Sequence, residues 1–287
     1  MEKFQIFIQL TRLNKPIGIF LLFWPCAWGL TLAFYFSGDV GLYIKHIFLF
    51  FLGSVLMRSA GCIVNDIADR NFDKKVERTK QRPIASGKIK ILNASVYVFF
   101  LCLVALIILL QFNLLTIILG FASMFLAFAY PFMKRITYWP QLFLGLTFNW
   151  GIIMGWTSIS ENISIEPFIL YISAIFWTLG YDTIYGLQDI KDDEIIGTKS
   201  TAIKFRHNIK FFVSASYCLC IFFILLLHFM MEINKINLLL TSFFILSLIY
   251  QIKIFDIANP KSCLKAFKNN NLVGSLILMF ILSFKII

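Results

Sequence analysis

Charge is scarce in this sequence, and what there is has mostly one sign. Of 287 residues only 14% are charged, and 15 acids stand against 26 lysines and arginines. A soluble domain carries about 25% charged residues, so an ordinary water-facing surface is excluded. Histidine is sparse: His46, His207 and His228 are scattered and form no metal spacing. The six cysteines, Cys26, Cys62, Cys102, Cys218, Cys220 and Cys263, contain no CxxC pair and lie mostly in apolar stretches. They read as small buried hydrophobes, which argues against a disulfide framework or a cysteine zinc site. The amino terminus offers no short apolar run with a small-residue cleavage site. The first apolar run, from Ile17, is long enough to be a span.

Apolar residues fill the space that charge leaves. The chain is 59% hydrophobic with 33 phenylalanines, and its mean hydropathy is +0.81. A bilayer core needs about 20 consecutive apolar residues of helix. Nine runs fit or nearly fit, near 17–36, 45–64, 91–110, 114–132, 140–158, 167–187, 210–230, 236–252 and 270–286. A tight turn near Gln111–Asn113 joins the third and fourth. Pro16, Pro131, Pro140 and Pro167 fall at span ends, where a missing N–H costs little. The expected fold is all-α, a polytopic membrane protein of about nine transmembrane helices in a single domain over 1–287.

The basic residues orient these spans. The amino terminus and the segments after spans two, four, six and eight hold 22 of the 26. Lys45, Lys235 and Lys285 lie on the opposite side, and Arg58 lies within span two. The positive-inside rule makes the basic side cytoplasmic. The net charge of +11 therefore reads as cytoplasmic loops against anionic lipid headgroups, with no nucleic-acid partner. The tryptophans and phenylalanines read as core or lipid-facing residues.

The few acids gather in two strings on that basic side. NDIADRNFD, covering 65–73, continues span two with Asn65, Asp66, Asp69 and Asp73. The second, covering 182–193, continues span six with Asp182, Tyr185, Asp189, Asp192 and Asp193. Asn65, Asp69 and Asp73 are spaced by four, as are Tyr185, Asp189 and Asp193, so each set predicts one helical stripe. Like charges at that spacing repel, and burial at a membrane mouth raises the cost. A cation should offset it. Hard carboxylate oxygens suit Mg²⁺, which keeps waters and bridges to substrate phosphates. The nearby Arg78, Arg82, Lys191 and Lys199 suit the phosphate charge. One such string would read as a solvated loop. Two matched strings, four spans apart, point to a diphosphate site and hint at an internal duplication.

Arg58 lies seven residues before Asn65 on the same helix face. An arginine within a span is costly. It either partners an intramembrane carboxylate or backbone carbonyls, or it recognises an acidic group on a substrate. Lys134 and Arg135, after Tyr130–Pro131, read equally as topology charges. A transporter is disfavoured, since the charges sit at one face and no paired spans are broken at their centres.

These strings resemble the UbiA prenyltransferase superfamily. The segments are NKPIG (14–18), LLFWPCAW (21–28), MRSAGCIVNDIADRNFDKKVERTKQRPIASG (57–87), YPFMKRITYWPQ (130–141) and YDTIYGLQDIKDDEIIGTKSTA (181–202). They are most similar to members that prenylate 4-hydroxybenzoate in ubiquinone biosynthesis. The last three spans match only in hydropathy. The resemblance implies a helix bundle around a central cavity, with polyprenyl diphosphate and 4-hydroxybenzoate as substrates. It implies Mg²⁺ held by Asn65, Asp69, Asp73, Asp189 and Asp193, with the four aspartates catalytic. It implies diphosphate contacts from Arg78, Arg82, Lys191 and Arg135, and Arg58 facing the aromatic carboxylate. Asp66, Tyr185 and Asp182 would support the site. Other acceptors, such as a naphthoate or a haem, remain alternatives. So does the choice of proton acceptor, a carboxylate or diphosphate. With no presequence visible, the expected location is a bacterial inner membrane, with no obligate protein partner.

Overall fold

The computed structural model of the chain describes residues 2–231 and 234–285. The helices are α1 (Glu2–Thr11), α2 (Ile17–Ser37), α3 (Val40–Ala68), α4 (Arg70–Asp73), α5 (Ile91–Leu109), α6 (Leu114–Ile136), α7 (Pro140–Asn149) and α8 (Gly151–Ser160). They continue as α9 (Ile165–Gly186), α10 (Ile190–Ile196), α11 (Thr201–Lys204), α12 (Ile209–Met230), α13 (Lys235–Ile254), α14 (Pro260–Lys268) and α15 (Asn270–Ser283).

Among the described residues, eight helical stretches are long and apolar enough to cross a membrane: α2, α3, α5, α6, the α7–α8 pair, α9, the stretch ending with α12, and α13. The ninth expected span, 270–286, corresponds to α15, and its residue 286 lies outside the described residues. With 14 residues at about 1.5 Å each, α15 is shorter than a full span.

The spans pack in chain order: α2 on α3, α3 on α5, α6 on α7, α7 on α9, α9 on α12, α12 on α13 and α13 on α15. The contact of α15 with α2 closes this into a ring, and α8 lies hard against α2. Sharp turns set the order. Gly38, at φ 72°, ends α2, and the Asp39 carboxylate caps α3 by accepting the Leu42 N–H at 2.9 Å. The predicted turn at 111–113 is present. Asn113 accepts the Thr116 N–H at 2.9 Å and donates to the Thr157 carbonyl at 2.8 Å.

Three spans differ from the sequence reading. α3 starts early, at Val40, and runs on to Ala68, against the expected 45–64. Pro131 lies inside α6 rather than at its end. The fifth span breaks between Asn149 and Gly151. Fully buried Asn149 donates its amide there to the Gly145 and Ala174 carbonyls and to Thr178, while its Oδ1 has no partner among the described residues.

Small residues and polar side chains hold spans together where no water drives them to associate. A Cβ on Gly29 would lie 1.9 Å from the Ile152 carbonyl oxygen, and one on Gly155 would lie 2.3 Å from that of Cys26. The last spans are tied by hydrogen bonds: Trp177 to Asn270 at 2.8 Å, Gln251 to Asn270 at 3.0 Å and Tyr217 to Gln251 at 2.6 Å.

The α2–α8 contact generates a prediction. Gly29→Ala forces two backbones apart and should cost about 1–3 kcal/mol, seen as a lower melting temperature in detergent. Gly61→Ala, where a Cβ meets nothing within 4 Å, should leave it unchanged. Equal melting of the two variants would refute this packing.

Candidate active site

Both acidic strings sit where a span ends and bends. Asp69 caps the end of α3 and starts α4, at φ −95° and ψ 3°. Asp189 starts α10 just past the end of α9, at φ −114° and ψ 7°. Both adopt the sparsely populated bridge conformation between helix and strand. The predicted stripes are therefore each broken at the middle aspartate. Neither carboxylate caps a backbone N–H at its break; Asp69 accepts instead from Lys134 and Asp189 from Arg78.

The acids are held by bases from other parts of the chain. Arg12 reaches Asp66 with one nitrogen at 2.7 and 2.9 Å from its two oxygens. Arg82 donates to the same Asp66 at 3.1 Å and to Asp73 at 2.9 Å. Lys134 donates to Asp69, and Arg135 lies 3.6 Å from it while donating to the Ala68 carbonyl at 2.7 Å. Arg78 grips Asp189 with two nitrogens, one at 2.7 Å, and reaches the Tyr185 hydroxyl at 3.4 Å. A hook from the first loop thus holds the second motif. The second loop also joins α6, where the Lys199 N–H donates to the Lys134 carbonyl at 2.8 Å.

Burial raises the carboxyl of Asp69, with Asp73 adding to it and Lys134 opposing. Burial and the charge of Asp189 push Asp193 up to about 6. Lys15 is shifted down by burial and by Arg12, Arg78, Arg82 and Lys268 around it. Such a gathering of cations suits a polyanion.

Among the described residues, no three acids converge as they stand on a point where a metal could sit. Each of Asp66, Asp69, Asp73 and Asp189 is instead turned to a base. The donor set is nevertheless all oxygen and fits a hard cation. Asp69 Oδ1 is buried without a hydrogen bond. Beside it a cavity of about 80 Å³ is lined by Asn65, Tyr130, Pro131, Lys134 and Pro140. Lys191 is exposed at this mouth and makes no ion pair among the described residues.

Deeper in α3, Arg58 donates to Cys62 Sγ at 2.9 Å, and its Nε is buried without a partner. Its guanidinium stands 5.7 Å from the Phe148 ring centroid. Gly18 makes room for it, since a Cβ there would lie 2.5 Å from Arg58 Nε. Asp182 in α9 lies within electrostatic reach of Arg58 without pairing to it.

Sequence reasoning counted Arg12 and Lys15 for topology alone and left Lys134 open between topology and the site, yet all three belong to this mouth. Arg12 carried one further signal. It adopts φ 58°, uncommon for a side-chain-bearing residue, but no linear pattern announces this.

The pattern of the UbiA prenyltransferase family matches residues 22–284. The chain is 41% identical over 278 residues to a 4-hydroxybenzoate octaprenyltransferase of Psychromonas ingrahamii, covering 96% of this chain and 95% of that one. It is 39% identical over 276 residues to a mitochondrial 4-hydroxybenzoate polyprenyltransferase of Drosophila pseudoobscura, covering 95% and 68%. The fold matches that of a UbiA homologue from Archaeoglobus fulgidus bound to DMAPP and Mg²⁺, with TM-score 0.74 at 15% identity over 98% and 99% of the two chains. Two matched acidic junctions at one end of a ring of helices, and these likenesses along nearly the whole chain, lead to one conclusion: the chain belongs to the UbiA prenyltransferase family.

Proposed function

We propose that this protein transfers a polyprenyl chain from polyprenyl diphosphate to the ring carbon ortho to the hydroxyl of 4-hydroxybenzoate, releasing diphosphate, in ubiquinone biosynthesis. The observation that carries this reading is the vertical order of the site. A mouth rich in acids and bases lies at the ends of α3 and α9, and deeper in α3 stands an intramembrane arginine with an unsatisfied N–H. The names of the relatives agree with it.

Asn65, Asp69, Asp73, Asp189 and Asp193 would hold Mg²⁺, which supplies Lewis-acid stabilisation of the departing diphosphate when bound. The bases now paired to these acids, Arg78, Arg82, Lys134 and Arg135, are placed to turn to the diphosphate oxygens, and Lys15 and Lys191 add charge at the rim. Their fixed positions favour the charge that develops as the C–O bond breaks. Arg58 binds the carboxylate of the aromatic acid and orients the ring. Apolar side chains on the surrounding spans exclude water, which would quench an allylic cation. The basic face is cytoplasmic, and the membrane is a bacterial inner membrane.

Asp69→Asn or Asp189→Asn should lower turnover by about 100-fold or more in lipid-reconstituted protein. Near-normal rates of diphosphate release would refute the metal role. Arg58→Ala should raise the apparent KM for 4-hydroxybenzoate by about 10- to 100-fold, the worth of a charged hydrogen bond, and change that for prenyl diphosphate far less. Equal effects on both substrates would refute the carboxylate contact.

An acid kept ready for a cation burdens the fold when that cation is removed. The Asp193 carboxyl is raised to about 6 in the folded chain, above its unfolded value of about 4. Between these values the folded state holds the proton more tightly, so stability falls as pH rises. With chelator present, the melting temperature of the wild type should drop across this window more steeply than that of Asp193→Asn. Parallel curves would show that Asp193 carries no such burden.

A further inference from the structure

Asp182 has no role in the metal or diphosphate contacts above, and its setting is unusual. It lies in the membrane-spanning part of α9, where an ionisable side chain is costly and rarely left without a purpose. Among the described residues it makes no hydrogen bond or ion pair. Arg58 lies within electrostatic reach, as do Tyr130 and Tyr181. The guanidinium, too, lacks an oxygen partner: its hydrogen bond goes to the Cys62 sulfur. Opposite charges in an apolar interior attract strongly. Here they stay apart, the arginine steered by Phe148 and Gly18.

The two groups lie on different spans: Asp182 is four residues before the end of α9 at Gly186, and Arg58 is ten residues before the end of α3 at Ala68. At about 1.5 Å per residue, Asp182 is about 6 Å and Arg58 about 15 Å from the end of its own helix. A small molecule that spans them needs an anionic group for Arg58 and, at its other end, a group with a proton to give. A para-hydroxylated aromatic acid has both.

We propose that Asp182 is a catalytic residue that accepts the phenolic proton of the acceptor. The proposal rests on the prenyl-transfer reading above. As the new C–C bond forms, the O–H bond breaks and its proton passes to the Asp182 carboxylate. The oxygen electron pair moves into the ring and the ortho carbon bonds the allylic carbon, giving a neutral dienone. Loss of the ring proton to the released diphosphate then restores the aromatic ring as a phenolate, and Asp182 returns its proton to the phenolate oxygen. A base so placed makes the ring a phenolate-like nucleophile without requiring the free acceptor to be ionised.

The test combines a variant and a substrate series in lipid-reconstituted protein with Mg²⁺. At pH 7, Asp182→Asn should lower kcat by about 100-fold and leave the apparent KM for prenyl diphosphate within about twofold. Its rate should climb with pH in proportion to ionised phenol, while the wild-type rate stays flat. A fluorinated 4-hydroxybenzoate with a more acidic phenol should narrow the gap between the two proteins. A variant whose rate is normal, or whose pH profile parallels the wild type, overturns the proposal. The wild type offers a check that does not depend on the variant folding. 4-Methoxybenzoate has no proton to give, so it should compete for binding without being prenylated; its prenylation overturns the role of Asp182. A wild-type protein that prenylates no 4-hydroxybenzoate at all would instead overturn the broader reading.

Discussion

Four ion-paired acids at one mouth decide how this molecule is arranged there. Spans two and six each end in carboxylates, and two acidic ends brought together repel. The chain answers with bases drawn from elsewhere: Arg12 from the segment before α2, Arg78 and Arg82 from the loop after α4, and Lys134 from α6. Asp66 is 1% exposed and meets two guanidinium groups. Removing a buried carboxylate from water costs several kcal/mol unless it is paired this fully. The same contacts pin spans one, two, four and six to one another at a single end of the bundle. The fold and the site are thus stabilised by one set of charges.

That arrangement has a chemical consequence. A base that compensates an acid in one state can meet an anion in another. In the proposed reaction a divalent cation would be held by these carboxylates, and the guanidinium and ammonium groups now paired to them would be free to meet the diphosphate. Below the mouth the logic reverses. Arg58 and Asp182 are few, deep and without ionic partners, and they stand in surroundings built from aromatic rings and small residues. Gly18 is part of that construction, because a larger residue would press on Arg58.

Much of this was legible in the linear order. Apolar runs of span length are imposed by the thickness of the bilayer, and they marked the helices to within a few residues, apart from the early start of α3 and the broken fifth span. The strings at 65–73 and 182–193 stood out because acids are so rare elsewhere. Arg58 stood out for the same reason, as a charge inside a span. The break at Asp69 was missed because a four-residue spacing reads as a continuous stripe, and only the local backbone reveals the cap.

Sequence by itself determined the membrane class, the order of the spans, the face that carries the charges and the two acidic strings proposed to bind metal and diphosphate. Each of these depends on local hydropathy or on the count of charges along the chain, quantities that a bilayer reads one segment at a time. Tertiary structure alone decided that Arg12 pairs with Asp66 across 54 positions and Lys134 with Asp69 across 65. It alone decided that Lys15 stands in a ring of cations, and that Arg58 and Asp182 share an interior without touching. Those relations depend on which spans become neighbours. That is settled by the close approach of backbones at residues such as Gly29 and Gly155, and by hydrogen bonds such as Trp177 to Asn270, between residues that no linear periodicity connects.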